Sequence, residues 1–338
     1  MSVLLLILLL VGVLFAVIQN RQSSLKKDKL ELLRAILPLC IIAHHLSYID
    51  FLKEFRSWGP IVNAVFFAIS GYGLAVSYRA KREEYLNGFL LKKVLRLMLP
   101  LLIVTSIYLI CFNTDPIRTV FYDLIAKGAS PLPYSWFVYV LMLMYVFFYM
   151  AYKFLPDYIR NISVVLLVIV YMVLAYGAGY NKIWFYSVVA FPAGLYYAEY
   201  ETRISSLLKS RWILGFVSFF VICILAFTIS VHQTITDYIY IAALPLVIFV
   251  LLSRTDIQNL NASVVTFLSR ISFEMYLLQG FSMALLRNNR VFIQSDLLYV
   301  LGVYAITIVA AYLVNRIIRA INNKISLIVY QHENSTCR

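Results

Sequence analysis

Two adjacent histidines, His44 and His45, stand inside an apolar run from Leu33 to Leu46. Titratable groups within a membrane span are costly to bury and commonly mark a functional site. Arg34 precedes His45 by eleven residues. At ~100° per residue on a helix, the two side chains return to within roughly 20° of one direction, ~16 Å apart along the axis. The spacing therefore aligns a cation near one end of a span with a candidate general base deeper in. A neutral imidazole can take a proton from an alcohol. His44 points roughly 80–100° away and is expected to orient or pack its neighbour as a second candidate catalytic group. For either ring, an interhelical hydrogen bond is the packing alternative. Asp50, further along the segment, is a candidate to orient an imidazole. Pro38 leaves the carbonyl of Arg34 without its helical donor and invites a kink.

Four further segments carry polar chemistry within apolar surroundings. In Phe66-Phe67-Ala68-Ile69-Ser70-Gly71-Tyr72, small residues allow another backbone or a substrate chain to approach closely. Ser70, Gly71 and Tyr72 are candidate substrate contacts, and helix packing is the alternative. Lys93 and Arg96, three residues apart, are neighbours on one helical face. They can grip a phosphorylated ligand or serve as ordinary topological charge. Arg270 and Glu274 stand at i,i+4 and are expected to pair, which makes a buried carboxylate tolerable. Glu274 as the partner of a catalytic histidine is the sharper reading. Trp136 opens an apolar run, either as an interfacial anchor or as a stacking surface for a sugar ring.

These groups need an apolar scaffold. The chain has 338 residues, 62% hydrophobic and 13% charged, with mean hydropathy +0.84. Soluble domains average about 25% charged residues. The expected fold is all-α, a polytopic transmembrane helical bundle. Apolar runs suggest about eleven spans, near 3–19, 35–50, 61–77, 97–113, 135–152, 163–178, 184–199, 213–231, 237–253, 264–283 and 297–316. At ~20 residues each, they leave no room for a separate soluble catalytic domain. The division is an extra N-terminal helix over 1–20, a membrane domain over 30–325, and a polar cytoplasmic tail over 326–338, frayed from Gln331. Without a basic leader or small-residue cleavage site, the first run reads as a retained span.

The net charge of +13 sits mostly in short loops, so topology explains it before nucleic acid does. Alternate loops divide 21 Lys and Arg against 7. That asymmetry places the N-terminus outside and the C-terminus in the cytoplasm of an inner, or plasma, membrane. Many of the 26 tyrosines lie near span ends, as an interfacial belt would place them. The loop 114–134, rich in Pro and Gly, is a candidate lid. No Cys pair or cluster has metal-ligand spacing, so neither a disulfide framework nor a metal is expected.

The segments resemble, in order, the acyltransferase-3 superfamily of integral-membrane acyltransferases, from about Leu30 to Arg319. Arg34 and His45 match its opening Arg and His. Phe66 to Tyr72 match its FF-x-ISG-F/Y stretch, Lys93 to Arg96 its R-x-x-R, Trp136-Phe137-Val138 its WFL, and Ser272 to Gln279 its S-x-E-x-Y-L-L-H. The resemblance implies a ten-helix core and transfer of an acyl group, most often acetyl, from cytoplasmic acyl-CoA (acetyl-CoA). The acceptor it implies is a hydroxyl of an extracytoplasmic sugar or polysaccharide, lipid-linked or within the envelope. His45 would be the base, with Lys93, Arg96 and Arg34 holding the CoA phosphates. Lys93 departs from the family's Arg and loses a bidentate fork. Gln279 stands where many members have His and cannot act as acid or base. A glycan or solute transporter, and an inactive relative serving as a partner subunit, are the rival readings. Membrane lipid and a second copy of the chain are further expected partners.

Overall fold

The computed structural model describes residues 3–19, 25, 27–112, 122–124, 128–218, 221–222, 234–256, 262–289 and 291–336. Among these residues the chain is helical apart from turns and one isolated bridge, Arg287 with Phe292. The helices are α1 (Val3–Gln19), α2 (Lys27–His45), α3 (Trp58–Lys81), α4 (Phe89–Phe112), α5 (Trp136–Phe154) and α6 (Asp157–Gly177). They continue with α7 (Ala190–Leu207), α8 (Thr234–Arg254), α9 (Ala262–Arg270), α10 (Ser272–Leu286) and α11 (Asp296–Thr336). Short 3-10 turns cover Asp50–Phe55 and Arg82–Leu86. In lipid a backbone must satisfy its own polar groups, which helices do within one segment. This is an all-α polytopic bundle and a multi-pass membrane protein.

Six helices are long and apolar enough to cross a bilayer among the described residues, against the eleven expected runs. The difference has local causes. α1 is apolar but shorter than the other spans. α2 carries Lys27, Asp28, Lys29, Glu31 and Arg34 in its first half, which dilutes its hydropathy. The run 264–283 is broken at Ile271, whose φ of −102° and ψ of 7° leave the helical region and separate α9 from α10. The run 213–231 lies partly outside the described residues, as does most of the candidate lid. The expected span 35–50 ends at His45. The tail expected to fray from Gln331 instead continues α11 to Thr336.

α3 is the central helix, buried along most of its length. It packs against α2, α7 and α8, while α10 packs against α2, α4 and α11. α2 thus joins two halves of the bundle. Tyr304 on α11 fastens it by donating to the carbonyl of Leu39, 2.9 Å away and next to Pro38. The α3–α7 crossing is set by glycine. A Cβ on Gly71 would collide with the Phe191 carbonyl oxygen, and one on Gly194 with that of Ala68. Small residues let two helix backbones touch, so dispersion and packing replace the missing hydrophobic drive. Some of the tyrosines are buried within the bundle, including Tyr72, Tyr197, Tyr276 and Tyr299.

Gly71→Val is expected to lower stability by roughly 3 kcal/mol or more, because backbone rather than a mobile side chain opposes the new atoms. Gly73→Ala should be tolerated, since a Cβ there meets nothing within 4 Å. Thermal unfolding of the two detergent-solubilised variants, followed by tryptophan fluorescence, checks the contrast.

Candidate active site

His44 and His45 are the last two residues of α2, so the chain turns immediately after them. The turn is fixed by His44, whose Nδ1 donates to the carbonyl of Phe55 at 3.1 Å. Its imidazole also fills the space beside Gly59, where any Cβ would strike the ring. This pulls residues 46–55 back over the end of α2 rather than prolonging it. His44 therefore holds a loop. His45, rotated by one helical step, keeps both nitrogens without a hydrogen-bond partner among the described residues. The two rings lie 4.9 Å apart.

One face of His45 is covered by Tyr134. Their ring centroids are 3.6 Å apart and their planes 20° from parallel. Tyr134 has a φ of 66°, a left-handed backbone that bulky L-residues rarely adopt. The surrounding structure determines it. Tyr276 on α10 donates its hydroxyl to the carbonyl of Tyr134 at 2.6 Å, and Gly280 leaves room for Pro133 against α10. Beneath lies an aromatic floor. Phe137 packs on Tyr276 at 5.3 Å and on Phe66 at 5.9 Å, and Phe67 packs on Phe137 at 4.6 Å.

At the opposite end of the same helix stripe stands a second group. Arg34, Lys93 and Arg96 lie within electrostatic reach of one another. None of them takes part in the ion pairs of the described residues. Glu31 acts on Arg34 only at longer range and is itself paired with Lys27 at 3.6 Å. Lys93 Nζ sits 5.3, 5.5 and 5.9 Å from the ring centres of Tyr145, Phe89 and Tyr85. Ring faces are electron-rich, so they hold the ammonium without neutralising it. Ser70 faces Tyr145, which also feels Arg34 and Arg96.

Helical phase joins the two groups. Phe66 and Ser70 are four residues apart on α3, as are Phe137, Leu141 and Tyr145 at successive turns of α5. They place one face of each helix along the path from the aromatic floor to the cations. The adjacent face of α3 does something else. Gly71 makes the α7 crossing, and Tyr72 donates to the Leu25 carbonyl at 3.2 Å and to Glu201 Oε2 at 3.0 Å. Gly71 faces α7, and the Tyr72 ring packs against Tyr197 of α7 and Phe249 of α8. Asp50 is exposed at the start of its 3-10 turn, and it is the Phe55 carbonyl that orients His44. Trp136 is buried, with its ring 6.3 Å from that of Trp184, rather than set against lipid.

The expected pair of Arg270 with Glu274 does not form. The break at Ile271 removes the i,i+4 register and leaves Arg270 exposed. Glu274 instead accepts from Asn315 Nδ2 at 2.8 Å, and Asn315 also reaches the Arg270 carbonyl at 3.3 Å. Glu274 feels Arg96 and Arg319, so it belongs to the basic group, not beside His45. Gln279 is fully buried and donates to the Tyr276 carbonyl at 3.1 Å. One cavity, of about 350 Å³, lies elsewhere, between α7 and α8 at Tyr197, Ile204 and Val250.

Spacing alone did not point to Tyr134, Tyr145 or Asn315. Tyr276 lies within the segment containing Glu274, but nothing in its position shows that it supports a residue 142 positions away.

No curated protein and no solved structure matches the chain. A family model does, that of the acyltransferase-3 acyltransferase domain, over residues 27–316. The match begins at the start of α2 and ends within α11, enclosing both the imidazole and the three cations, and so this chain belongs to the acyltransferase-3 family of membrane acyltransferases.

Proposed function

We propose that the protein is an O-acyltransferase that moves an acyl group, acetyl in the simplest case, from acyl-CoA to a hydroxyl of a sugar across the bundle. The observation that carries this reading is the pairing of two unlike groups on one stripe of α2. His45 stands at one end, and Arg34 stands ~16 Å away at the other, joined there by Lys93 and Arg96 of α4 in a cluster without ion-pair partners among the described residues. The cations suit a polyanion such as the phosphates of CoA. The uncharged pantetheine arm of an acyl-CoA is long and narrow, the shape required to bring a thioester from those phosphates toward His45. The path it would follow is lined by Ser70, Tyr145, Phe66 and Phe137.

The chemistry balances without a metal or redox group. A nitrogen of His45 takes the proton of the acceptor hydroxyl as its oxygen attacks the thioester carbonyl. The new ester C–O bond forms as the thioester C–S bond breaks, and the departing CoA thiolate takes the proton from the imidazolium. Tyr134 holds the ring plane, and His44 holds the turn on which that plane depends. The C-terminal carbonyls of α2 place partial negative charge beside the imidazolium. The basic end would face the cytoplasm, where acyl-CoA is found and where Lys and Arg accumulate in membrane proteins. The histidine end would then open toward an extracytoplasmic glycan.

His45→Ala, expressed at the level of the unsubstituted protein, should reduce acyl transfer to glycan by about a hundredfold to ten-thousandfold, with acetyl-CoA affinity largely unchanged. Transfer at the normal rate would remove His45 as the base. For the donor end, Lys93→Ala and Arg96→Ala should each weaken acetyl-CoA binding by roughly tenfold, and Lys93→Arg should retain or tighten it. Calorimetric titration of acetyl-CoA into nanodisc-embedded protein checks this. An unchanged Kd in both alanine variants would rule out the phosphate clamp.

A further inference from the structure

The histidine end contains a second cluster that the transfer chemistry above does not use. Tyr134, stacked on His45, lies within electrostatic reach of Tyr48, and both act on Tyr299. The hydroxyls of Tyr48 and Tyr299 approach one another, and Tyr48 also approaches Arg287. The guanidinium of Arg287 lies 4.0 Å from the centre of the Tyr299 ring and 5.1 Å from that of Phe292. Its own position is fixed. Nη2 is 2.6 Å from Asp296 Oδ1, and Nε donates to the Ile293 carbonyl at 2.9 Å. Two phenols from separate elements, Tyr48 and Tyr299, thus meet beside one anchored cation, and a third, Tyr134, lies near both of them and against the imidazole.

An interfacial aromatic belt does not account for this arrangement. Belt residues turn their rings to the lipid boundary, whereas Tyr299 is only 2% exposed and Tyr134 lies against His45. Tyr48 is the outward member, 61% exposed. The cluster therefore grades from solvent to base. The charge of Arg287 is engaged by Asp296, so the surface presents phenolic hydroxyls and ring faces with little net charge. Each phenol can both donate and accept, and a ring face gives an apolar bed for the C–H face of a pyranose. The chemistry fits a hydroxyl-rich uncharged ring.

We infer that Tyr48, Tyr134 and Tyr299 form the acceptor subsite, which seats a sugar ring so that one hydroxyl reaches His45. This rests on the acyl-transfer reading above, and it adds which residues recognise the acceptor. Arg287 is a positioning residue that holds Tyr299.

The test uses full-length protein in nanodiscs, radiolabelled acetyl-CoA as donor, and base-deacylated envelope glycan from the producing cells as acceptor. Tyr48→Phe and Tyr299→Phe keep the rings and remove the hydroxyls. Each should raise the KM for glycan by roughly threefold to tenfold, with the KM for acetyl-CoA within twofold of the unsubstituted protein. Tyr48→Ala, at an exposed position, should be worse than Tyr48→Phe because the ring is lost as well. A glycan KM unchanged in Tyr48→Phe, Tyr48→Ala and Tyr299→Phe overturns the subsite. So does an equal rise in both KM values, which would mark a structural effect. Absence of any transfer by the unsubstituted protein, with acetyl-CoA still bound, would instead overturn the acyl-transfer reading on which the subsite rests.

Discussion

The fold depends on a single cost, that of gathering three like charges at one end of an apolar bundle and setting an imidazole further along the same helix stripe. Like charges held a few ångströms apart near a protein surface repel by on the order of several kcal/mol. Arg34, Lys93 and Arg96 meet without an ion-pair partner among the described residues. Had stability alone set these positions, a carboxylate beside them would be the simple remedy. Glu274 is close enough to moderate Arg96, yet it is tied to Asn315 at 2.8 Å. The field is thus softened but not cancelled, and aromatic faces rather than acids surround Lys93. In the proposed function, an anion from outside the chain would complete this electropositive arrangement.

The same economy explains α3. One face carries Gly71, whose missing side chain brings the α7 backbone into contact. The next carries Phe66 and Ser70 toward α5 and α10. Tight packing on the first face fixes the helix rotation, and that rotation aims the second face along the path between the cations and His45. A structural role and a lining role are therefore adjacent in sequence and separated by one helical step. Tyr72 shows the same division, since its hydroxyl is engaged by Leu25 and Glu201 on the packing side.

What could be read from the sequence follows from the range of the forces involved. The helical phase of Arg34 and His45 is a local property, and α2 is one continuous helix from Lys27 to His45. All-α architecture follows from composition, because lipid leaves the backbone few alternatives. The convergence of Arg34 with Lys93 and Arg96 brings together two helices, α2 and α4, and could be proposed only from resemblance. The Arg270–Glu274 pair failed because i,i+4 spacing implies proximity only in an unbroken helix, and Ile271 breaks it. Tyr134 was not legible at all. Its left-handed backbone is accompanied by a hydrogen bond from an α10 hydroxyl 142 positions away, and no residue preference near position 134 encodes that contact.

A base in the middle of a long helix would be flanked by the backbone above and below, and a substrate could approach it only from the side. Here the helix stops at His45, and the chain is drawn aside by the bond from His44 to Phe55. The imidazole therefore stands at a corner, with one face covered by Tyr134 and its nitrogens unengaged by the described residues. Such a corner can be approached along the α2 stripe from the cations and also from the opposite end. The proposed transfer, with donor and acceptor arriving from opposite sides of the membrane, would need that geometry. Two histidines in tandem supply it, one to turn the chain and one to remain free for chemistry.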